Sequence, residues 1–267
     1  MIVIEAILPA ATLRSMEQPA ARAPGPAVET SATAAGSAPA SAAVDVDEDP
    51  SYREAVIDLL GVLAYGELTA FERLAGDAAL APTIVDKAAL AEMSVAEYAH
   101  FTRLCARLEQ LGAQPEVAMA PFVEAVDRFH DATAPADWLE GLVKAYVGDG
   151  IATDFYREVA ALLDADTKDL VLAVLEDTGH SAFAVERVRA AIAADPPVGG
   201  RLALWARRLM GEALSQAQRV AAHRDALSAL LVGDLGHGGA DLAELGRMFA
   251  RLTEAHTKRM AALGLSA

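Results

Sequence analysis

Two short motifs in this 267-residue chain have the residue types and spacing for metal chemistry. Glu97-Tyr-Ala-His100 and Asp177-Thr-Gly-His180 are both acid-x-x-His. Residues three apart on a helix share a face, so in each motif a carboxylate and an imidazole can converge on one ion. Each motif has an acid about thirty residues ahead of it, Glu67 in Gly66-Glu67-Leu-Thr-Ala-Phe-Glu72 and Asp149 in Gly148-Asp149-Gly-Ile-Ala-Thr-Asp154. The halves of the chain therefore repeat one pattern. Five residues turn a helix by about 140°, so only one acid of each pair faces inward. The spacing to the x-x-His motifs favours Glu67 and Asp149, with Asp154 as the alternative to Asp149. Glu176, four before His180, is the alternative to Asp177. Glu67, Glu97, His100, Asp149, Asp177 and His180 make four carboxylates and two imidazoles, the ligand inventory of a dinuclear iron or manganese site. Without a metal, burying these charges would be costly, so the competing reading turns all six outward on a metal-free helical scaffold.

These residues need long helices to carry them, and the sequence supplies helix punctuation at regular intervals. Asp49-Pro50 reads as an N-cap followed by a first-turn proline, opening an apolar-periodic run to Leu74 that stops at Gly76. Pro82-Thr83 opens a second helix to Leu111, closed by Gly112. A short helix from Pro121 to about His130 leads to long runs over Trp138–Leu163 and Thr167–Ala193. Two further helices follow, over Arg201–Leu231 and Asp241–Leu263, separated by the glycine-rich stretch 233–239. The expected fold is all-α, a four-helix core with two additional C-terminal helices. Residues 1–48 are rich in Ala, Pro and Ser with few large apolar side chains, and read as a disordered tail ahead of a domain over 49–267. Met16 offers a second candidate start within it.

Composition agrees with helices and narrows the function classes. Hydrophobic residues make up 54% of the chain but aromatic ones only 5%, which favours close-packed Ala- and Leu-rich helices over sheets. The net charge of −16 argues against a dedicated nucleic-acid binder, tRNA included. Charge is unevenly spread: residues 1–180 hold 11 basic and 30 acidic side chains, residues 181–267 hold 11 and 8. The last two helices are thus the basic end, read as a surface pairing with the acidic core. One cysteine, Cys105, fits a reducing cytoplasm and reads as a small core residue, and no run of 18 apolar residues suggests a membrane span. Tyr65, Tyr98 and Tyr146 flank proposed ligands but read as packing residues. His130, His223, His237 and His256 lack a matching acid and read as exposed or capping histidines.

From about Asp49 to Leu265 the chain resembles the ferritin-like, MiaE-like proteins of actinobacteria, which are related to di-iron tRNA hydroxylases. The resemblance rests on residues 59–67 (LLGVLAYGE), residues 138–151 (WLEGLVKAYVGDGI) and Asp177-Thr-Gly-His180. It implies a ferritin-like bundle and an O2-activating di-iron centre that oxidises an organic substrate, a small molecule or a modified nucleoside. Glu67, His100, Asp149 and His180 would be terminal ligands, with Glu97 and Asp177 as bridges. The chain departs from the usual glutamates by placing Asp at 149 and 177. A ferroxidase or iron-binding protein without an organic substrate is the alternative, and an oligomer is compatible with either.

Overall fold

A computed structural model describes residues 46, 49–176, 180–232 and 242–267; the side chains of His180, Val232 and residues 242–245 are not among those described. Every regular element among the described residues is helical, in agreement with the expected class. The elements are α1 (Pro50–Asp77), α2 (Ile84–Gln110), α3 (Pro115–Met119), α4 (Val123–Ala132), α5 (Trp138–Ala160), α6 (Ala165–Val174), α7 (His180–Ala194), α8 (Pro197–His223), α9 (Asp225–Val232) and α10 (Leu242–Leu263). None is long and apolar enough to cross a membrane.

Local chemistry sets most boundaries. The Asp49 side chain accepts from the backbone of Ser51 (2.8 Å) and Tyr52 (3.2 Å), with Pro50 in the first turn. Thr83, Asp137 and Asp164 cap α2, α5 and α6 in the same way. Helix α2 ends at Gln110, and Gly112 just beyond it, with a φ of 70°, admits the left-handed turn that returns the N–H of Ala113 to the carbonyl of Leu108.

Helices α1 and α2 form an antiparallel hairpin joined by a 3₁₀ turn (Ala78–Leu80). Helix α5 packs on α1, α6 and α7 pack on α5, and α6 touches α2, which closes the bundle. Helix α8 lies on α4 and α5, α9 on α1, and α10 on α5 and α7. Two expected helices are each interrupted. The run expected over Thr167–Ala193 stops at Val174, leaving Leu175 and Glu176 outside any helix before α7 begins at His180. The run expected over Arg201–Leu231 breaks at Arg224, whose guanidinium turns back to hold both carboxylate oxygens of Asp58 on α1.

The interior is two apolar cores rather than one. The first gathers Leu59, Leu60 and Leu63 of α1, Leu104 and Leu108 of α2, Val159 of α5 and Val171 of α6. Val46 belongs to it, so burial starts just ahead of the expected domain boundary. The second gathers Leu74, Leu90, Met93, Leu142, Val147, Ala184 and Val188 with α8 and α10. On each of α1, α2 and α5 a gap separates the residues of the two cores. Glu67 falls in the first gap, Glu97 and His100 in the second, Asp149 and Asp154 in the third. Thus Glu67, Glu97, His100 and Asp149 fall between the two cores, while Asp177 and the side chain of His180 lie outside the described residues.

Candidate metal centre

Glu67 on α1 meets Glu97 and His100 on α2. One ligand atom from each lies within 4.8 Å of the others, the only such group of three among the described residues. His100 Nδ1 is 3.4 Å from Glu67 Oε2 and 3.5 Å from Glu97 Oε2. The expected i, i+3 pair is thus formed on an uninterrupted helix, and the hairpin supplies the third group. Glu72 is exposed on the other side of α1, as the 140° offset requires.

The electrostatics are those of a site built for a cation. Burial pushes the Glu67 carboxyl well above the usual carboxylate range, and neighbouring Glu97 adds to this. The two carboxylates raise His100 to about 9, Glu67 contributing most. Glu67 Oε2 is buried and has no hydrogen-bond partner, because His100 Nδ1 is within ion-pair range but outside hydrogen-bond geometry. An orphaned carboxylate oxygen next to a second carboxylate and an imidazole fits a transition-metal ligand set, and such an atom is otherwise costly to bury. From α5, Tyr156 stands nearby; burial first and the Glu67 charge second raise its phenol.

The second half of the sequence pattern is arranged differently. Asp149 lines the same cavity as Glu67 and Glu97, but it is exposed and does not join their cluster. Asp154, its alternative, is ion-paired with Arg259 of α10, which also donates to the Gly150 carbonyl at 2.9 Å. Asp177 and the side chain of His180 lie outside the described residues, and Glu176 is exposed. Helix α7 does begin at His180.

The cavity, about 250 Å³, lies between α1, α2, α4, α5 and the start of α7, with Glu67 and Glu97 as well as Lys144 and Arg73 on its wall. Its wall includes Leu63, Leu74, Met93, Val126 and Phe129. His130, read from sequence as exposed or capping, is half-buried against this cavity, with Nε2 3.1 Å from Thr69 Oγ1. The one hydroxyl proton of Thr69 goes to the carbonyls of Tyr65 and Gly66, so Nε2 carries the imidazole proton and the buried Nδ1 is a bare acceptor without a partner. Burial, then Lys144 and Arg73, push His130 down to about 3, keeping it neutral. His256 is likewise buried rather than exposed, whereas His223 binds the Arg219 carbonyl as a capping residue would. His237 lies outside the described residues. Cys105 is half-buried against the first core, Tyr65 donates to Asp127 at 2.8 Å, and the Tyr98 ring meets those of Phe71 and Phe101 at a tilt.

The spacing rule could find acids and histidines but not Lys144, Tyr156 or His130. These reach the cavity through packing of α4 and α5 on the hairpin, and no local motif marks them. Comparison with known proteins gives a family: a model described as a ferritin-like domain of actinomycetes matches residues 50–234. No curated protein matches the chain.

Proposed function

The chain belongs to the ferritin-like domain family of actinomycetes, and we propose that it is a cytoplasmic dinuclear iron or manganese protein that uses O2 to oxidise an organic substrate. Glu67, Glu97 and His100 hold the first ion; Asp149, Asp177 and His180 complete the second position. The observation that carries this reading is the orphaned Glu67 oxygen beside Glu97 and His100, at the level where Glu67, Glu97, His100 and Asp149 separate the two apolar cores. A bound metal pair supplies the redox chemistry toward O2. The chain's own part is to fix the carboxylates and the imidazole on two rigid helices, to give up the His100 proton when metal arrives, and to keep an apolar space beside them.

That apolar-walled cavity favours an oxygenase over a ferroxidase, whose substrate is the ion alone and needs no such space. The metal-free scaffold is disfavoured because Glu67, Glu97 and His100 converge instead of facing outward. A tRNA substrate, as in the MiaE-like relatives the sequence resembles, has little support from the surface. Arg201 is paired with Asp137 and Glu140, Arg224 with Asp58, Arg251 with Glu158 and Arg259 with Asp154. Cations already committed to intramolecular carboxylates leave few to neutralise phosphates. A small organic substrate is the better fit.

Elemental analysis after anaerobic reconstitution tests the proposal, coupled to O2 uptake by the loaded protein. Two ions of iron or manganese per chain are expected, with O2 consumed. One ion would confine the centre to the first half, and none would overturn it.

A further inference from the structure

The end of the cavity opposite the carboxylates holds a charge that the proposed metal centre does not use. Lys144 on α5 is 7% exposed, and its ammonium donates to the Thr133 carbonyl at 2.8 Å. It makes no ion pair within 4.0 Å among the described residues. One face lies over the Phe129 ring, 5.5 Å from its centroid. An ammonium has three donors, so a single carbonyl leaves it short of partners in a place where water is scarce. Arg73 lines the same end. The facing groups are neutral His130 and Asp77, whose carboxyl is raised by burial, with Asp131 further out. Burial lowers Lys144 to about 8, so it carries its charge at pH 7.

We infer that Lys144, with Arg73, seats the carboxylate of an amphipathic organic acid whose apolar body runs along Leu63, Leu74, Met93 and Val126 toward Glu67 and Glu97. This names the substrate class of the proposed oxygenase and rests on that reading. The cavity is electrically polar: acidic at Glu67, Glu97 and Asp149, cationic at Lys144 and Arg73, apolar between. An anion is attracted to Lys144 and Arg73, and the apolar wall between them and the metal ligands takes its alkyl chain, so the cavity fixes which end of the ligand faces those residues. Glu67 and Leu74, seven apart on one face of α1, both line the cavity, about 10.5 Å of helix and a span suited to a medium-length alkyl chain. Asp77, which acts on Lys144 more strongly than Asp131 does, competes with the ligand for the ammonium.

Binding of octanoate and of octan-1-ol to the full chain, stripped of metal and held at pH 7, tests this by calorimetry. Wild-type protein should bind octanoate; Lys144→Met should weaken it at least tenfold while leaving octan-1-ol affinity unchanged, and Lys144→Arg should restore most of it. Asp77→Asn should tighten octanoate at least twofold, which keeps the test open even if Lys144→Met misfolds. No octanoate binding by the metal-free wild type, binding only after metal loading, or affinity indifferent to both Lys144→Met and Asp77→Asn would overturn the inference. In the last case Lys144 would only cap the end of α4 at Thr133. Metal uptake without octanoate binding sinks this inference alone, and octanoate binding without metal uptake sinks the proposed metal centre alone.

Discussion

The hairpin α1–α2 and the segment from α5 to α7 start from the same pattern, an acid followed after about thirty residues by acid-x-x-His, and end differently. In the hairpin both motif residues ride one uninterrupted helix, and Glu67, Glu97 and His100 converge. In the second segment the helix ends at Val174, Asp149 is exposed, and Asp154 is held by Arg259. An acid-x-x-His spacing is a statement about a helix face, and α2 supplies that face without interruption from Glu97 to His100. The comparison teaches that the two acids of α5 are not treated alike: the appended helix α10 takes Asp154 through Arg259, whereas Asp149 stays on the wall of the cavity that Glu67 and Glu97 line.

The most direct way to break this comparison is to remove one residue from each half and measure retained metal. His100→Ala should cut retention by an order of magnitude or more, since it removes the only imidazole of the described cluster. Asp154→Ala should leave retention unchanged and instead cost about 1–2 kcal/mol of stability, because it leaves the mostly buried Arg259 guanidinium with only the Gly150 carbonyl. Metal loss in Asp154→Ala, read by elemental analysis, would place Asp154 in the centre and reverse the assignment of the two α5 acids.

How far the sequence could be read follows the same division. Helix starts at Asp49 and Thr83 were legible because a cap is a local device, whereas Asp164, which caps α6 at Ala165, was passed over for a start at Thr167. Glu67, Glu97 and His100 were legible because one periodicity covers the whole hairpin. The end of α6 was not legible, since Leu170-Val-Leu-Ala-Val-Leu175 is an apolar run with no glycine or proline to stop it. What satisfies its last carbonyls comes from elsewhere: Arg103 of α2 donates to Ala173 and Arg157 of α5 to Leu175. The break at Arg224 has the same origin in a distant partner, Asp58. Lys144 and His130 gained their roles only when α4 and α5 packed on the hairpin, and a single lysine or histidine in a helix carries no signal of that.

Glycines offer a second contrast between the halves. A Cβ on Gly61 would fall against the backbone carbonyl of Ala118, where α1 and α3 approach most closely and nothing can swing aside. Gly61→Ala should therefore destabilise by about 1–3 kcal/mol, the usual cost of overpacking. A Cβ on Gly150 would meet only the guanidinium end of Arg259, which can move. Gly150→Ala should cost less in thermal unfolding, about 1 kcal/mol, by pushing Arg259 off Asp154. Equal losses in the two variants would show that Arg259 is held as rigidly as backbone.

The smallest expected effect is a pH drift that belongs to the first half alone. His100 rises from its ordinary 6.5 to about 9 on folding, and Glu67 is raised as well. A raised folded value means that the native state holds a proton the unfolded state gives up. The stabilisation is therefore complete below 6.5 and is lost as pH climbs toward 9. Between pH 6.5 and 8 the metal-free protein should lose roughly 2–4 °C in thermal midpoint. Above 8 the trend weakens, since Lys144, lowered to about 8, sheds its proton earlier in the native state and acts in the opposite sense. Below 6.5 stability falls again, because His130 and His256 are lowered by burial and resist the proton that the unfolded chain accepts. Metal loading should flatten the drift between 6.5 and 8, for the bound ion takes the place of the proton on His100, and His100→Gln should flatten it without metal. A drift that survives in metal-free His100→Gln would assign it to groups outside the hairpin.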